Sequence, residues 1–193
     1  MIILATNNKH KVNELKDILD YQDIKSLQDL NLDIEIIENG VTFEQNSLIK
    51  AQVIAKLYPD DIIIADDSGI CVDVLGGAPG VYSARFSNAK ENIDYNNNLK
   101  LLKELENEEN REAKFVCCIC CVIPNREPLF FRGELKGRVN TKLGTKEGFG
   151  YDPLFIVNDK LVSDMTSEEK NKISHRAIAL NKLKDYLGAQ CIL

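Results

Sequence analysis

An α/β fold is what this sequence predicts, on three observations. Short apolar runs suited to strands alternate with stretches whose apolar residues recur at helical spacing. The apolar fraction, 44% over 193 residues, is enough for a substantial core. No internal repeat or low-complexity linker interrupts the chain, so residues 1–193 read as a single domain, with any two lobes intertwined.

Composition also excludes partners. A net charge of -6 argues against duplex nucleic acid, which demands a broad basic surface. No run approaches the ~18 apolar residues of a membrane span. The N-terminal apolar run of four is too short for a secretory signal, so a cytoplasmic protein without a membrane partner is expected.

In order, Met1 to Ala5 is an apolar strand and Thr6-Asn7-Asn8 a turn feeding a helix from about Lys9 to Tyr21, with Val12, Leu15, Ile18 and Leu19 inward. Its first turn carries Lys9, His10 and Lys11, where the helix dipole favours acids. Cations beside free backbone N–H groups read as a phosphate receptor, or as a solvated basic turn. Ile34 to Glu38 is the next strand, ending at the turn Asn39-Gly40. Thr42 and Gln45 form a capping box for a helix from about Phe43 to Leu57, stopped by Pro59 and carrying Glu44, Asn46 and Lys50.

The centre of the chain is Ile62 to Ser87. Four aliphatic residues, Ile62 to Ala65, read as a buried strand running into Asp66 and Asp67, which alternation sends to opposite sides of the sheet. Ser68 and Gly69 are expected to turn the chain, and Gly76, Gly77, Pro79 and Gly80 to turn it again. Asn92 to Asn107 reads as a structural helix with Leu99, Leu102 and Leu105 inward.

Two strands follow, about Ala113 to Ile123 and Leu129 to Asn140, joined by the hairpin turn Pro124 to Pro128. The first holds Cys117, Cys118, Cys120 and Cys121 in an unbroken apolar run. Zinc ribbons place such pairs on turns, so these read as buried free thiols, and Cys71 and Cys191 have no convincing partner. Gly148 and Gly150 flank Phe149 in a loop that exposes an aromatic ring on a mobile hinge, suited to base stacking or to plugging the core. Asp152-Pro153 opens a strand Leu154 to Val157. The tail holds a capping box, Thr166 with Glu169, a second N-cap at Ser174 and a helix stop at Gly188. Leu180, Leu183 and Leu187 pack this last helix, while Lys170, Lys172, His175 and Arg176 gather at the junction of the two helices.

Carboxylates able to hold Mg2+ beside cations able to hold phosphate describe phosphoryl or nucleotidyl transfer. There is no Walker loop, dinucleotide fingerprint or nucleophile elbow, and only two histidines exist to serve a triad.

These blocks, LATNNKHKVNELKDIL, GVTFEQNSLIKA, IADDSGICVDVLGGAPGVYSARFS, EGFGYDPLF and EEKNKISHRAIAL, run in order over nearly the whole chain. In them the chain resembles the inosine/xanthosine triphosphate pyrophosphatases, which hydrolyse non-standard purine nucleoside triphosphates to monophosphate and pyrophosphate. The resemblance implies an elongated two-lobed fold with a long mixed sheet flanked by helices, an interlobe active site, Mg2+ and a homodimer. It places triphosphate binding on Thr6, Asn7, Asn8, Lys9, His10 and Lys11. A metal ligand falls on Glu38, and the catalytic carboxylate, also a metal ligand, on Asp67, with Ser68 touching substrate. Base recognition falls on Phe149, Gly150, Tyr151, Asp152, Lys170, His175 and Arg176, with Lys50 and Asp66 supporting. Asn7 and His10 stand where the family commonly has glycine, and Asn7 is expected to tolerate a left-handed backbone. A cationic donor such as Arg176 suits the 6-oxo group of hypoxanthine or xanthine and faces adenine's amino group unproductively. The rival readings are a related pyrophosphatase for pyrimidine or modified nucleotides and a nucleotide-binding regulator without catalysis.

Overall fold

The computed structural model describes residues 1–21 and 23–190; Cys191 lies outside them. Among the described residues seven strands form one mixed sheet in the order β2-β1-β3-β4-β5-β6-β7. These are β1 (Ile2–Leu4), β2 (Ile24–Ser26), β3 (Ile62–Val72), β4 (Glu112–Val122), β5 (Leu129–Val139), β6 (Phe155–Val157) and β7 (Lys160–Leu161). β1 runs parallel to β2 and β3, whereas β5 with β6 and β6 with β7 are antiparallel. Among the described residues five α-helices accompany them, α1 (Lys9–Leu19), α2 (Phe43–Leu57), α3 (Ile93–Glu104), α4 (Ser167–Ile173) and α5 (His175–Ala189).

The chain divides into two compact units. The first comprises Met1–Asp67, Cys117–Gly133 and the residues from His175 onward. Strand alternation sorts its core onto two faces. Ile2, Leu4, Ile64, Cys117, Ile119 and Cys121 pack with Leu15 and Leu19 of α1 and Leu180, Leu183 and Leu187 of α5. Ile3, Ala5, Ile63, Ala65 and Cys120 pack on the opposite face with Ala51 and Ile54 of α2. The four clustered cysteines are free and fully buried, as the apolar run implied.

The second unit comprises Ser68–Val116 and Glu134–Ser174. Ile70, Val72, Phe115 and Phe155 build its core with Leu101 and Leu105, the Phe115 and Phe155 rings lying 4.4 Å apart.

Several expectations need correction. β3 does not turn at Ser68-Gly69 but runs on to Val72. Gly69 is there for close approach, because a Cβ on it would lie 2.4 Å from the Gly80 carbonyl oxygen and from Ser83 Oγ. Ile34 to Glu38 forms no strand. Its residues alternate between exposed and half-buried, with Ile34 and Ile36 against the core, so the periodicity is that of a strand without a ladder partner. β2 and β7, both very short, escaped the pattern. On α3 it is Leu101 that is buried, while Leu99 is exposed. Gly188 lies within α5 and is not among the residues with positive φ, so it is no helix stop. The capping boxes hold in different degrees. At Thr166 both reciprocal bonds are present, whereas Gln45 Oε1 accepts from Val41 N–H and not from Thr42.

Candidate active site

The alternation that sorts the core also sorts the two acids of β3. Asp66 continues the face of Ile64 and meets Lys11 of α1, Nζ to Oδ2 2.8 Å, with Arg176 Nε of α5 at 3.6 Å. Asp67 continues the face of Ala65 and meets α2, where Asn46 Nδ2 donates to its Oδ2 over 3.0 Å and Lys50 Nζ stands 4.0 Å from its Oδ1. Lys50 also binds Glu38 Oε2 at 2.6 Å, so one ammonium bridges the two carboxylates.

Their electrostatics diverge. Burial alone would push the Asp66 carboxyl up, but Lys11, Arg176 and Lys50 together outweigh it and hold its pKa well below the usual carboxylate range. Burial raises Asp67 above its ordinary value; Lys50 and the Asn46 amide pull it back, and the charge of Glu38 adds to the rise. The environments of the two adjacent aspartates therefore push their pKa values in opposite directions.

On the second unit, the loop carrying Phe149 is closed tightly. Gly150 has φ +59°, a conformation natural to glycine, and a Cβ on Gly148 would lie 2.9 Å from Asp152 Cβ. The glycines thus serve a left-handed turn and close packing rather than a loose hinge. Phe149 remains exposed, whereas Tyr151 is buried and its hydroxyl donates to the Ser83 carbonyl at 2.8 Å. Asp152 Oδ2 accepts from Lys170 Nζ at 2.6 Å.

A profile of the Ham1 family matches residues 2–186. The chain belongs to this family. It is similar to the Ham1 protein of Staphylococcus aureus, whose structure superposes with a TM-score of 0.89 at 38% identity over 98% of each chain. A Ham1 protein from Coxiella burnetii gives 0.88 at 34% identity, covering 97% of this chain and 98% of that one. A Bacillus licheniformis protein named dITP/XTP pyrophosphatase is 47% identical, the match covering 96% of this chain and 97% of its own.

Within this Ham1 chain the phosphate-receptor turn departs from expectation. The N–H groups of His10 and Lys11 are not free, because Asn8 caps α1 and its Oδ1 accepts from both. Thr6 Oγ1 accepts from the Asn8 N–H at 3.2 Å. Asn7 is not among the left-handed residues, so the left-handed backbone expected to be tolerated there is not adopted. Lys9 and His10 enter α1 directly after the cap.

The cationic groups of the tail have separate acidic partners. Lys170 pairs with Asp152, Lys172 with Glu168 at 2.8 Å, and Arg176 with Glu14, Nη1 to Oε2 2.5 Å. Ser68 lies in β3 immediately after Asp67, and His175 opens α5. Glu44 is bound by Arg132 at 2.6 Å, which accounts for it as a structural acid on α2.

Sequence reasoning missed Glu14, although its place three residues after Lys11 puts both on one face of α1. It also passed over Asp94 and Asn98 of α3, which hold the Gly150 backbone. The run Asn96-Asn97-Asn98 in a helix read as structural was the signal available.

Glu38 and Asp67 fit a magnesium ion by their chemistry. Both present carboxylate oxygen, the hard donor Mg2+ prefers, and both already share one cation, Lys50. Among the described residues no three His, Cys, Asp or Glu side chains group as a metal cage. Mg2+ needs none, since it commonly takes one or two carboxylates and completes its shell with water and phosphate.

Proposed function

We propose that this chain hydrolyses non-standard purine nucleoside triphosphates, such as dITP and XTP, between the α- and β-phosphates, releasing nucleoside monophosphate and pyrophosphate. The names of its relatives support this reading. The observation that carries it is Asp67 itself: a buried carboxylate raised in pKa, oriented by Asn46 and bridged through Lys50 to Glu38.

Asp67 is the general base. It takes a proton from a water whose oxygen attacks the α-phosphorus, while the bond to the bridging oxygen breaks and pyrophosphate carries that electron pair away. A raised pKa suits a carboxylate to this task better than the fixed anion Asp66. Lys11, with Thr6, Asn7, Asn8, Lys9 and His10, is assigned to the phosphates, and Ser68 to the substrate beside Asp67. Asp66 and Glu14 hold Lys11 and Arg176 in place. Glu38 and Asp67 would hold Mg2+, which when bound supplies charge neutralisation to the phosphate oxygens and a more acidic water.

The Phe149 ring is assigned to stacking on the base, with Gly150, Tyr151, Asp152 and Lys170 supporting it. His175 and Arg176 are assigned as donors to the 6-oxo group. We further read the protein as a cytoplasmic homodimer. Among the described residues no helix is long and apolar enough to cross a membrane.

The test incubates the protein with XTP, dITP and ATP in Mg2+ and identifies the products. Monophosphate and pyrophosphate from XTP and dITP, with ATP spared, is the expected result; diphosphate and orthophosphate would place the cleavage at the wrong bond. Asp67→Asn is expected to abolish turnover with the fold intact, and light scattering reads the dimer.

A further inference from the structure

We propose that Asp94 and Asn98 of α3 are positioning residues that set base selectivity by fixing the Gly150 backbone and, through it, the Phe149 ring. The inference rests on the assignment of Phe149 to the base.

Asp94 and Asn98 are four residues apart and so share one face of α3. Gly150 N–H donates to Asp94 Oδ2 at 2.8 Å, and the Gly150 carbonyl accepts from Asn98 Nδ2 at 2.7 Å. Both polar groups of one residue are therefore held by one helix. Asn98 is in turn tied to that helix, its Nδ2 also donating to the Asp94 carbonyl at 2.7 Å. That second bond fixes the direction from which the amide reaches Gly150.

The cost of this arrangement argues for its purpose. Asn98 is 2% exposed, and burying an amide is unfavourable unless its bonds are made; here Nδ2 makes two, while Oδ1 is buried without a hydrogen-bond partner. A leucine there would suit a helix serving only to fill the core. On the far side of Gly150, Tyr151 is already anchored by its burial and its bond to Ser83, so the core does not need the extra pair. What the pair adds is a defined backbone immediately beside Phe149, a residue 36% exposed. An aromatic platform discriminates bases only if it is held in one place, since a small displacement relaxes every contact made around the base.

Asp94 is exposed, so its replacement leaves the core intact. For Asp94→Ala we expect KM for XTP to rise about tenfold with kcat within about twofold, and the preference for XTP over ATP to fall, with melting temperature lowered by no more than about 2–4 °C. Asp94→Asn keeps an acceptor oxygen and is expected to restore both KM and preference. Phe149→Ala, measured alongside, separates this inference from the reading beneath it. If Phe149→Ala raises KM and Asp94→Ala does not, the positioning role is overturned while the base assignment stands. If Phe149→Ala leaves KM and preference untouched, both are overturned. A fall in kcat for Asp94→Ala as large as its rise in KM would mark general disruption and also defeat the proposal.

Discussion

Asn46 holds Asp67 through an amide whose orientation is not free to change. Its Oδ1 accepts from Gly40 N–H at 2.8 Å, which forces Nδ2 toward Asp67 Oδ2 at 3.0 Å. One side chain thus ties the loop after Glu38 to the strand that carries Asp67, the proposed general base. Asn46→Ala removes a buried hydrogen bond to a charged group and leaves Gly40 N–H unpaired. We expect a stability loss of about 2–3 kcal/mol and a fall in kcat of about tenfold or more, read by urea unfolding and steady-state kinetics.

The buried pair of Lys11 and Asp66 predicts an asymmetry. Asp66→Ala strands both Lys11 and Arg176 Nε without their shared anion, whereas Lys11→Met leaves Asp66 still facing Arg176 at 3.6 Å. Breaking a buried ion pair by removing one partner costs about 3–5 kcal/mol. Asp66→Ala should approach that figure in urea unfolding and Lys11→Met should fall below it; equal losses would show that Arg176 contributes nothing to Asp66.

Acid sensitivity has a traceable source in Asp29. The Ser26 backbone N–H, then Lys16, hold its carboxyl down to about 2. A depressed folded value means stability that is fully present above the unfolded pKa of about 3.9 and lost as pH falls toward the folded one. Asp29→Asn should therefore flatten the stability profile between about pH 4 and about pH 2 relative to the unmodified protein, as measured by thermal melts across that range.

Burial pushes the thiols of Cys117, Cys118, Cys120 and Cys121 up to about 12. Since the thiolate is the reactive form, all four should resist iodoacetamide at pH 8 in the folded protein and label in urea, by peptide mass spectrometry.

The chain contains no tryptophan. Phe149→Trp therefore supplies a single reporter at the proposed stacking position, and its fluorescence should be quenched by XTP but not by tripolyphosphate, which has no base. Equal response to both would remove Phe149 from base contact.

The sequence by itself determined the larger elements. Helical spacing in α1 and α2, the β4–β5 hairpin and the cysteine run are local patterns, and each emerged where its period and turn residues put it. Alternation was enough to send Asp66 and Asp67 to opposite faces, because that follows from backbone geometry alone. Packing and pairing were decided only by the tertiary structure. Ile34 to Glu38 has a strand's period but no neighbour to bond, and Gly69 looks like a turn until the Gly80 carbonyl is found against it. The same holds for the site: that Lys50 bridges Glu38 and Asp67, that Glu14 holds Arg176, and that α3 grips Gly150 are contacts across 12, 17, 162 or more than 50 residues of chain. Side-chain type is written locally, but the pKa of a carboxylate and the aim of an amide depend on neighbours that only folding supplies.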